Sequence, residues 1–442
     1  MSPPVDKVTS DERLPDSVDV VVIGGGIIGV SAAYYLAKKG HSVALLEKGH
    51  VAGEQSSRNW GWCRQQGRAL PEVPLAKKSL ELWGELNEEI GADTGFRRTG
   101  MLVVTKDPEE VARWEDWTER ARDYQVHGRI LSAEDVQEMV PASAERWIAG
   151  FYSPSDGHAE PAKAAPAIAQ AARRLGATMH QSCAARGWET SAGVVSAVVT
   201  ERGTIKTKAL LCAGGAWTSM LCRKQGISLP QAGVFATACR TEPGAEVTQG
   251  GVGSPGFSFR RRQDGGYTVA MRGRGRVELT PQGLRYARHF LPLLFKRGKG
   301  LTLGLGRSFV EGPEAMERWS LDQVSPFEQV RVLDPAPDRK LVDTAMAQFR
   351  AAYPALRDIR VAEAWGSLID STPDAVPVIS RVDGAPGCYI ATGFSGHGFG
   401  LGPASGRLAA DLVAGDPPIV DPHPFRYSRF FDGTQHEPSV WV

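Results

Sequence analysis

Residues 18–47 leave this chain few folds to choose from. The run 18–23, Val-Asp-Val-Val-Val-Ile, is almost wholly apolar and β-branched, as a parallel strand buried on both faces should be. It stops at glycine, and Gly24, Gly26 and Gly29 then fit the spacing G-x-G-x-x-G. The first glycine permits a tight turn, the second lets backbone approach a pyrophosphate, and the third lets a helix pack closely on the strand. From Ile28 a helix is predicted, with Ala32, Ala33, Leu36 and Ala37 facing inward and Gly40 as its C-terminal cap. A second strand over 42–46 delivers Glu47, eighteen residues beyond Gly29, where a carboxylate can accept hydrogen bonds from a ribose 2′-hydroxyl. This is the order of a βαβ dinucleotide site. NAD and FAD can both use it, whereas a 2′-phosphate would be repelled by Glu47.

A chain of 442 residues exceeds one typical core, so two closely connected domains are expected. Its 51 basic and 50 acidic residues give a net charge of +1, which offers no global electrostatic case for nucleic acid or an anionic membrane. The six cysteines (63, 183, 212, 222, 239, 388) form no C-x-x-C pair or metal-ligand spacing. Residues 1–17 are polar and lack the apolar centre of a signal peptide, and no run reaches the length of a membrane helix. The expectation is a soluble cytoplasmic protein with a small neutral or zwitterionic partner and no bound metal.

After Glu47 comes a loop over 53–68 dense in donors and aromatics, including Gln55, Ser56, Ser57, Arg58, Trp60, Gly61 and Arg64. Tryptophans interleaved with polar groups suit packing against a flat ring. Residues 74–90 are predicted as an amphipathic helix and 96–105 as a strand. Asp107-Pro108-Glu109-Glu110 reads as a cap and first turn of a helix to about Tyr124, with Trp114, Trp117 and Ala121 on its core face. Ser132 begins another capped helix, and an alanine-rich helix ends near Gly176. Two strands, 194–200 and 204–208, lead into Ala209-Leu-Leu-Cys-Ala-Gly-Gly-Ala-Trp217, a second place where backbone can approach a cofactor. Residues 257–279 are predicted as a hairpin turning at Gln263-Asp-Gly-Gly266. Period-two alternation puts Arg272, Arg274 and Arg276 on one face, and with Arg260, Arg261 and Arg262 they form a basic cluster that a solvated face would also produce. Arg272 is placed inside the strand, where a guanidinium needs a carboxylate that a substrate could supply. Finally, a strand over 388–392 feeds Gly393-Phe-Ser-Gly-His-Gly-Phe-Gly400, and a helix is predicted from about Pro403 to Ala414 with its positive end toward whatever that loop encloses. His397 reads equally as a site residue or a loop donor.

Taken together, the opening βαβ, Cys212-Ala-Gly-Gly-Ala-Trp217, Thr372-Pro-Asp374 and Gly393-Phe-Ser-Gly-His-Gly-Phe399 resemble the FAD-dependent D-amino acid oxidase superfamily, with its glycine and sarcosine oxidases. Within it the chain is similar to bacterial L-amino acid deaminases through Ala52-Gly-Glu-Gln-Ser56, Leu86-Asn-Glu-Glu-Ile-Gly-Ala-Asp-Thr94, Pro326-Phe-Glu-Gln-Val-Arg331 and Asp421-Pro-His-Pro-Phe425. The resemblance implies an α/β, two-domain flavoprotein: a discontinuous Rossmann-like FAD-binding domain (17–90, 150–230 and 350–420), a substrate domain with a largely antiparallel sheet (91–149 and 231–349), and tails at 1–16 and 421–442. It implies that Arg272 holds a substrate carboxylate, as in the deaminases, and that Arg64 matches a sarcosine oxidase arginine with the same task. It also marks departures. Gly400 stands where sarcosine oxidases carry a lysine, and Ser367 stands where one of them attaches FAD through cysteine, so FAD is expected to be non-covalent. The strand around Met271 lacks the lysine that assists oxygen activation. Residues 1–17 cannot be the membrane helix of the deaminases.

The expected cofactor contacts are Gly24, Gly26, Ile27, Ile28, Gly29, Glu47 and Lys48, then Gln55, Ser56, Ser57, Arg58, Trp60 and Gly61. Ala185, Ala213, Gly214, Trp217, Gly366, Gly393, Phe394, Gly396, His397 and Gly398 complete the set, with Arg272, Arg64 and His397 as catalytic candidates. The expected reaction is oxidation of an α-amino acid, of L configuration, by hydride transfer from Cα to flavin N5. The imino acid hydrolyses to a 2-oxo acid and ammonia. A secondary amino acid such as sarcosine, proline or pipecolate is the alternative substrate, and a non-catalytic flavin subunit the alternative role. Expected partners are the amino acid, an electron acceptor that is oxygen, a quinone or a protein carrier, and a further copy of the chain.

Overall fold

A computed structural model describes residues 3–435, so the outermost parts of the two expected tails, 1–2 and 436–442, lie outside the described residues. The central sheet has six strands in the order Val378–Arg381, Cys388–Thr392, Ala209–Cys212, Val20–Ile23, Val43–Leu46 and Thr178–His180. All neighbours are parallel except the first pair. Val20 and Val22 point into one apolar layer and Val21 and Ile23 into another, which is why the opening strand can be apolar without alternation. The helix Ile27–Lys38 covers one face and packs against the helices Pro161–Arg174 and Gly398–Ala414. The range 3–16 is not a free tail: Asp11 pairs with Arg173 at 2.8 Å and its amide donates to the Met179 carbonyl.

The second large sheet runs Leu301–Gly304, Gly275–Glu278, Ala232–Thr241, Tyr267–Ala270, Ser258–Arg261, Gly251–Gly253, Met101–Thr105, Ala149–Ser153 and Arg129–Leu131. The long strand Val361–Ser371 pairs antiparallel with Ala232–Thr241 along ten positions. The expected cofactor range 350–420 is therefore split between the two sheets, because this strand carries the chain across from one to the other. The sheet is mainly antiparallel, with parallel pairs at Gly251–Gly253 with Met101–Thr105 and at its Leu301–Gly304 edge. The helix Arg339–Ala352 packs on it through Phe349 and Met346.

Local signals hold well. Asp107 caps Pro108–Arg120 through the Glu109 amide, Trp114, Trp117 and Ala121 are buried, and Ser132 and Asp135 form a reciprocal capping box. Two expectations are corrected. The strand Tyr267–Ala270 ends before Arg272, because the chain turns at Gly273, whose φ is +66°, and resumes as Gly275–Glu278. Arg272, Arg274 and Arg276 therefore do not share a strand face. The last helix begins at Gly398, ahead of Pro403, so the end of the glycine loop is its first turn.

Candidate active site

Between the two sheets lies a cavity of about 1070 Å³, lined by residues of both. Its inner end is built on the glycine motif. Gly24 turns with φ +112°, and a Cβ there would run into the Ala213 carbonyl. A Cβ on Gly29 would run into the Gly24 carbonyl, so Gly29 serves helix packing and does not line the cavity. Gly26, Ile27 and Ile28 do line it, at the start of a helix whose Ile27 amide donates to Ser56 Oγ at 2.8 Å. Glu47 lines it too, its carboxylate fixed by the Gly25 and Gly49 amides, each at 2.7 Å.

Along the middle, Lys48 Nζ donates to Glu54 Oε1 at 2.7 Å and sits 4.3 Å from the Trp217 ring centroid, while Trp217 Nε1 donates to the same carboxylate. Arg58 is nearly buried and donates to the Leu333 carbonyl at 2.6 Å. Ala185, Ala213, Gly214, Gln55 and Ser56 share this wall. Four expected contacts besides Gly29 fall outside the lining. Ser57 turns its hydroxyl to the Glu54 carbonyl, and Gly61 makes room for Arg260. Gly366 packs on the Pro335 carbonyl, and the Gly393 amide donates to Asp370 Oδ2 at 2.7 Å. Their work is to shape the wall. Arg260 itself is fully buried in a bidentate pair with Glu160, 2.9 and 3.0 Å, so it belongs to no solvated cluster.

At the outer end Trp60, Trp62, Arg64, Arg68, Arg272 and the loop Phe394 to Gly400 meet. Trp83 Nε1 and Ser79 Oγ both donate to the Gly400 carbonyl, pinning the start of the helix Gly398–Ala414. A Cβ on Gly400 would lie 2.8 Å from the Trp62 carbonyl oxygen, so no lysine fits there. His397 is buried, with Nε2 2.6 Å from Glu72 Oε1. Burial pulls its proton affinity down, against the opposing pull of Glu72. Burial, and then the Arg68 and Arg272 guanidiniums, likewise depress Arg64, so three cations crowd this end. Asp156, which accepts from the Gln65 and Gln66 amides, holds the arginine loop and is pushed up to about 6 by burial. Arg272 leans on Glu110, Nη1 to Oε1 at 3.0 Å. The sequence reading did not assign Glu72, Arg68 or Glu110 to the site: Arg68 lay in the donor-rich loop, Glu110 read as a first-turn acid of its helix, and Glu72 carried no local signal.

The lining suits a long amphipathic cofactor. Gln55 Oε1, Trp62 Nε1, Thr218 Oγ1 and His397 Nδ1 are buried cavity-wall residues' atoms with no hydrogen-bond partner among the described residues, and such groups require a ligand or water. The positive end of a seventeen-residue helix faces the same space. No group of described residues could hold a metal, and no described helix is long and apolar enough to cross a membrane.

Comparison with known proteins agrees with this geometry. Residues 19–412 match the family described as FAD dependent oxidoreductase. The structure of L-amino acid deaminase from Proteus myxofaciens, in complex with anthranilate, superposes with a TM-score of 0.91 at 31% identity, covering 97% of each chain. The deaminase from Proteus vulgaris gives 0.90 at 30%, covering 96% of this chain and all of the other. Sarcosine oxidase subunit beta of an Arthrobacter species is 26% identical over 94% of this chain and 92% of its own.

Proposed function

The chain belongs to the family of FAD-dependent oxidoreductases that act on amino acids, and from that premise we propose that it oxidises a primary L-α-amino acid to the imino acid, which water converts to a 2-oxo acid and ammonia. The observation that carries this reading is the convergence of Arg64, Arg68 and Arg272 on one wall of the cavity, beside Trp62 and the loop Phe394 to Gly400. Three crowded guanidiniums are relieved by an anion, and a substrate carboxylate is one.

Gly26, Ile27 and Ile28 would hold the pyrophosphate of FAD at the helix start, and Glu47 would hold the adenosine ribose. Bound FAD supplies the two-electron sink for breaking the Cα–H bond. The protein's part is positioning. Arg272 clamps the carboxylate and is itself steadied by Glu110, Arg64 contributes from the opposite loop, and the aromatic wall of Trp60 and Trp62 excludes water. The helix starting at Gly398 opens onto the cavity and would lend positive potential to a flavin that gains negative charge on reduction. None of the six cysteines lines the cavity, and Ser367 does, which supports non-covalent FAD.

Replacing Arg272 with alanine should lower kcat/KM for the best amino acid by about 100-fold or more, the loss expected for a charge-assisted pair of about 3 kcal/mol. Anaerobic bleaching of the flavin across an amino acid panel measures it, and unchanged kinetics would sink the assignment. A secondary-amine substrate is favoured by two features, Arg64 and the Phe394 to Phe399 loop, both shared in pattern with sarcosine oxidases. Stoichiometric ammonia release separates the two, since only a primary amine yields it.

A further inference from the structure

Arg64, Arg68 and Arg272 share one wall of the cavity, and the acids that line the cavity are all committed to other partners. Glu47 accepts from the Gly25 and Gly49 amides, Glu54 from Lys48 and Asp370 from the Gly393 amide, while Glu278 pairs with Arg276. The acids that offset the three arginines, Glu110, Asp156 and Glu72, stand behind the wall and do not line it. A ligand at this wall therefore meets guanidinium donors and no uncommitted carboxylate.

One substrate carboxylate does not use these donors up. Among the described residues Arg272 spends only Nη1, on Glu110, which leaves Nε and Nη2 for a clamp on the α-carboxylate. Arg68 is 3% exposed; its Nε donates to the Arg64 carbonyl at 3.4 Å, and its Nη1 has no partner among the described residues. A buried guanidinium nitrogen requires an acceptor. Because Arg64 and Arg68 repel each other in this buried place, an anionic acceptor answers both the hydrogen bond and the charge, and a neutral one only the bond. The two guanidinium positions come from different elements, the loop 53–68 and the turn that follows Tyr267–Ala270, so they suit two carboxylates of one molecule. We propose that this wall binds ligands with two carboxylates, one at Arg272 and one at Arg68, so that the amino acid oxidised here is a dicarboxylic one of the aspartate or glutamate kind. The choice of substrate rests on the reading of the cavity as a site of amino acid oxidation.

The test uses the FAD-loaded full chain in two arms. In the first, the visible flavin band is titrated anaerobically with succinate and glutarate and with their one-carboxylate controls, propionate and butyrate, none of which carries an amine to oxidise. The better diacid should bind at least about tenfold more tightly than its control, the difference that one charge-assisted contact supplies. Arg68→Gln should remove most of that preference, and Arg68→Lys, which keeps the charge but loses the planar fork, should retain only part of it. In the second arm, flavin bleaching by L-aspartate and L-glutamate is compared with that by L-asparagine and L-glutamine, which match them in size; the acids should lead by at least about tenfold in kcat/KM. Diacids that bind the wild-type chain no better than their controls overturn the proposal, as does a preference that survives Arg68→Gln. Amides that bleach the flavin as fast as the acids also overturn it and leave amino acid oxidation standing. If no amino acid bleaches the flavin while the diacids keep their preference, the oxidation fails and the paired carboxylate sites stand. Both arms are decided on the wild-type chain even where a variant does not fold.

Discussion

At Gly29 the absence of a side chain is a structural requirement, since a single added methyl would strike the Gly24 carbonyl on which the cofactor turn is built. Gly29→Ala should therefore cost about 1–3 kcal/mol of overpacking strain and lower the fraction of purified protein that retains FAD, read from the visible-to-ultraviolet absorbance ratio. Undiminished flavin content would show that the turn tolerates the shift. Residues such as Gly24, Gly29 and Glu47 were legible in the sequence because their roles depend on neighbours within one βαβ unit. Arg272 was legible as a cation near the site, but its turn and its anchor were not: Glu110 is 162 positions away and sits on a helix whose first turn explained its acids without any partner. Arg260 was misread for the same reason, since Glu160, a hundred positions away, turns a surface-looking arginine into a buried ion pair.

Among the elements, the strand Ala232–Thr241 is the hub of the large sheet, and a single acid ties the segment around residue 314 to it. Glu314 is 4% exposed and accepts from the Gly233 amide at 2.9 Å. Burial raises its carboxyl to about 7, with Glu278 adding to the shift. An acid whose folded value lies above its unfolded one destabilises the fold as pH rises from about 4.5, and the full penalty is present above about 7. Glu314→Gln keeps the acceptor and removes the charge, so it should raise stability by on the order of 2–3 kcal/mol at pH 8 and by nothing measurable at pH 4. Denaturant melts at the two pH values check it; an equal effect at both would contradict the burial account. Element boundaries were legible where a cap or a periodic face announced them, as at Asp107 and Ser132. They were missed where a glycine turn interrupts a regular alternation, as at Gly273, because period two continues in the letters after the strand has ended.

For the molecule as a whole, both sheets contribute walls to one cavity, so a cofactor bound in it would cross-link them. Free FAD at about 100 times its dissociation constant should stabilise the protein by about 2.7 kcal/mol, a rise in melting temperature of roughly 3 °C for a chain of this length. A thermal scan of flavin-stripped protein with and without added FAD measures it, and no rise would mean that the stripped fold has lost the site. The two-layer plan followed from the order of motifs, but how the strands interleave did not. The central sheet takes its members from Val20–Ile23 and Val43–Leu46, then Thr178–His180 and Ala209–Cys212, and only at the end Val378–Arg381 and Cys388–Thr392. A ribosome that adds about 5–20 residues per second therefore emits the glycine turn roughly 20–70 s before the last strand that completes its sheet. For that interval the outer edge of Ala209–Cys212, which pairs with Cys388–Thr392 in the finished sheet, stays open, which makes the unfinished chain a client for chaperones.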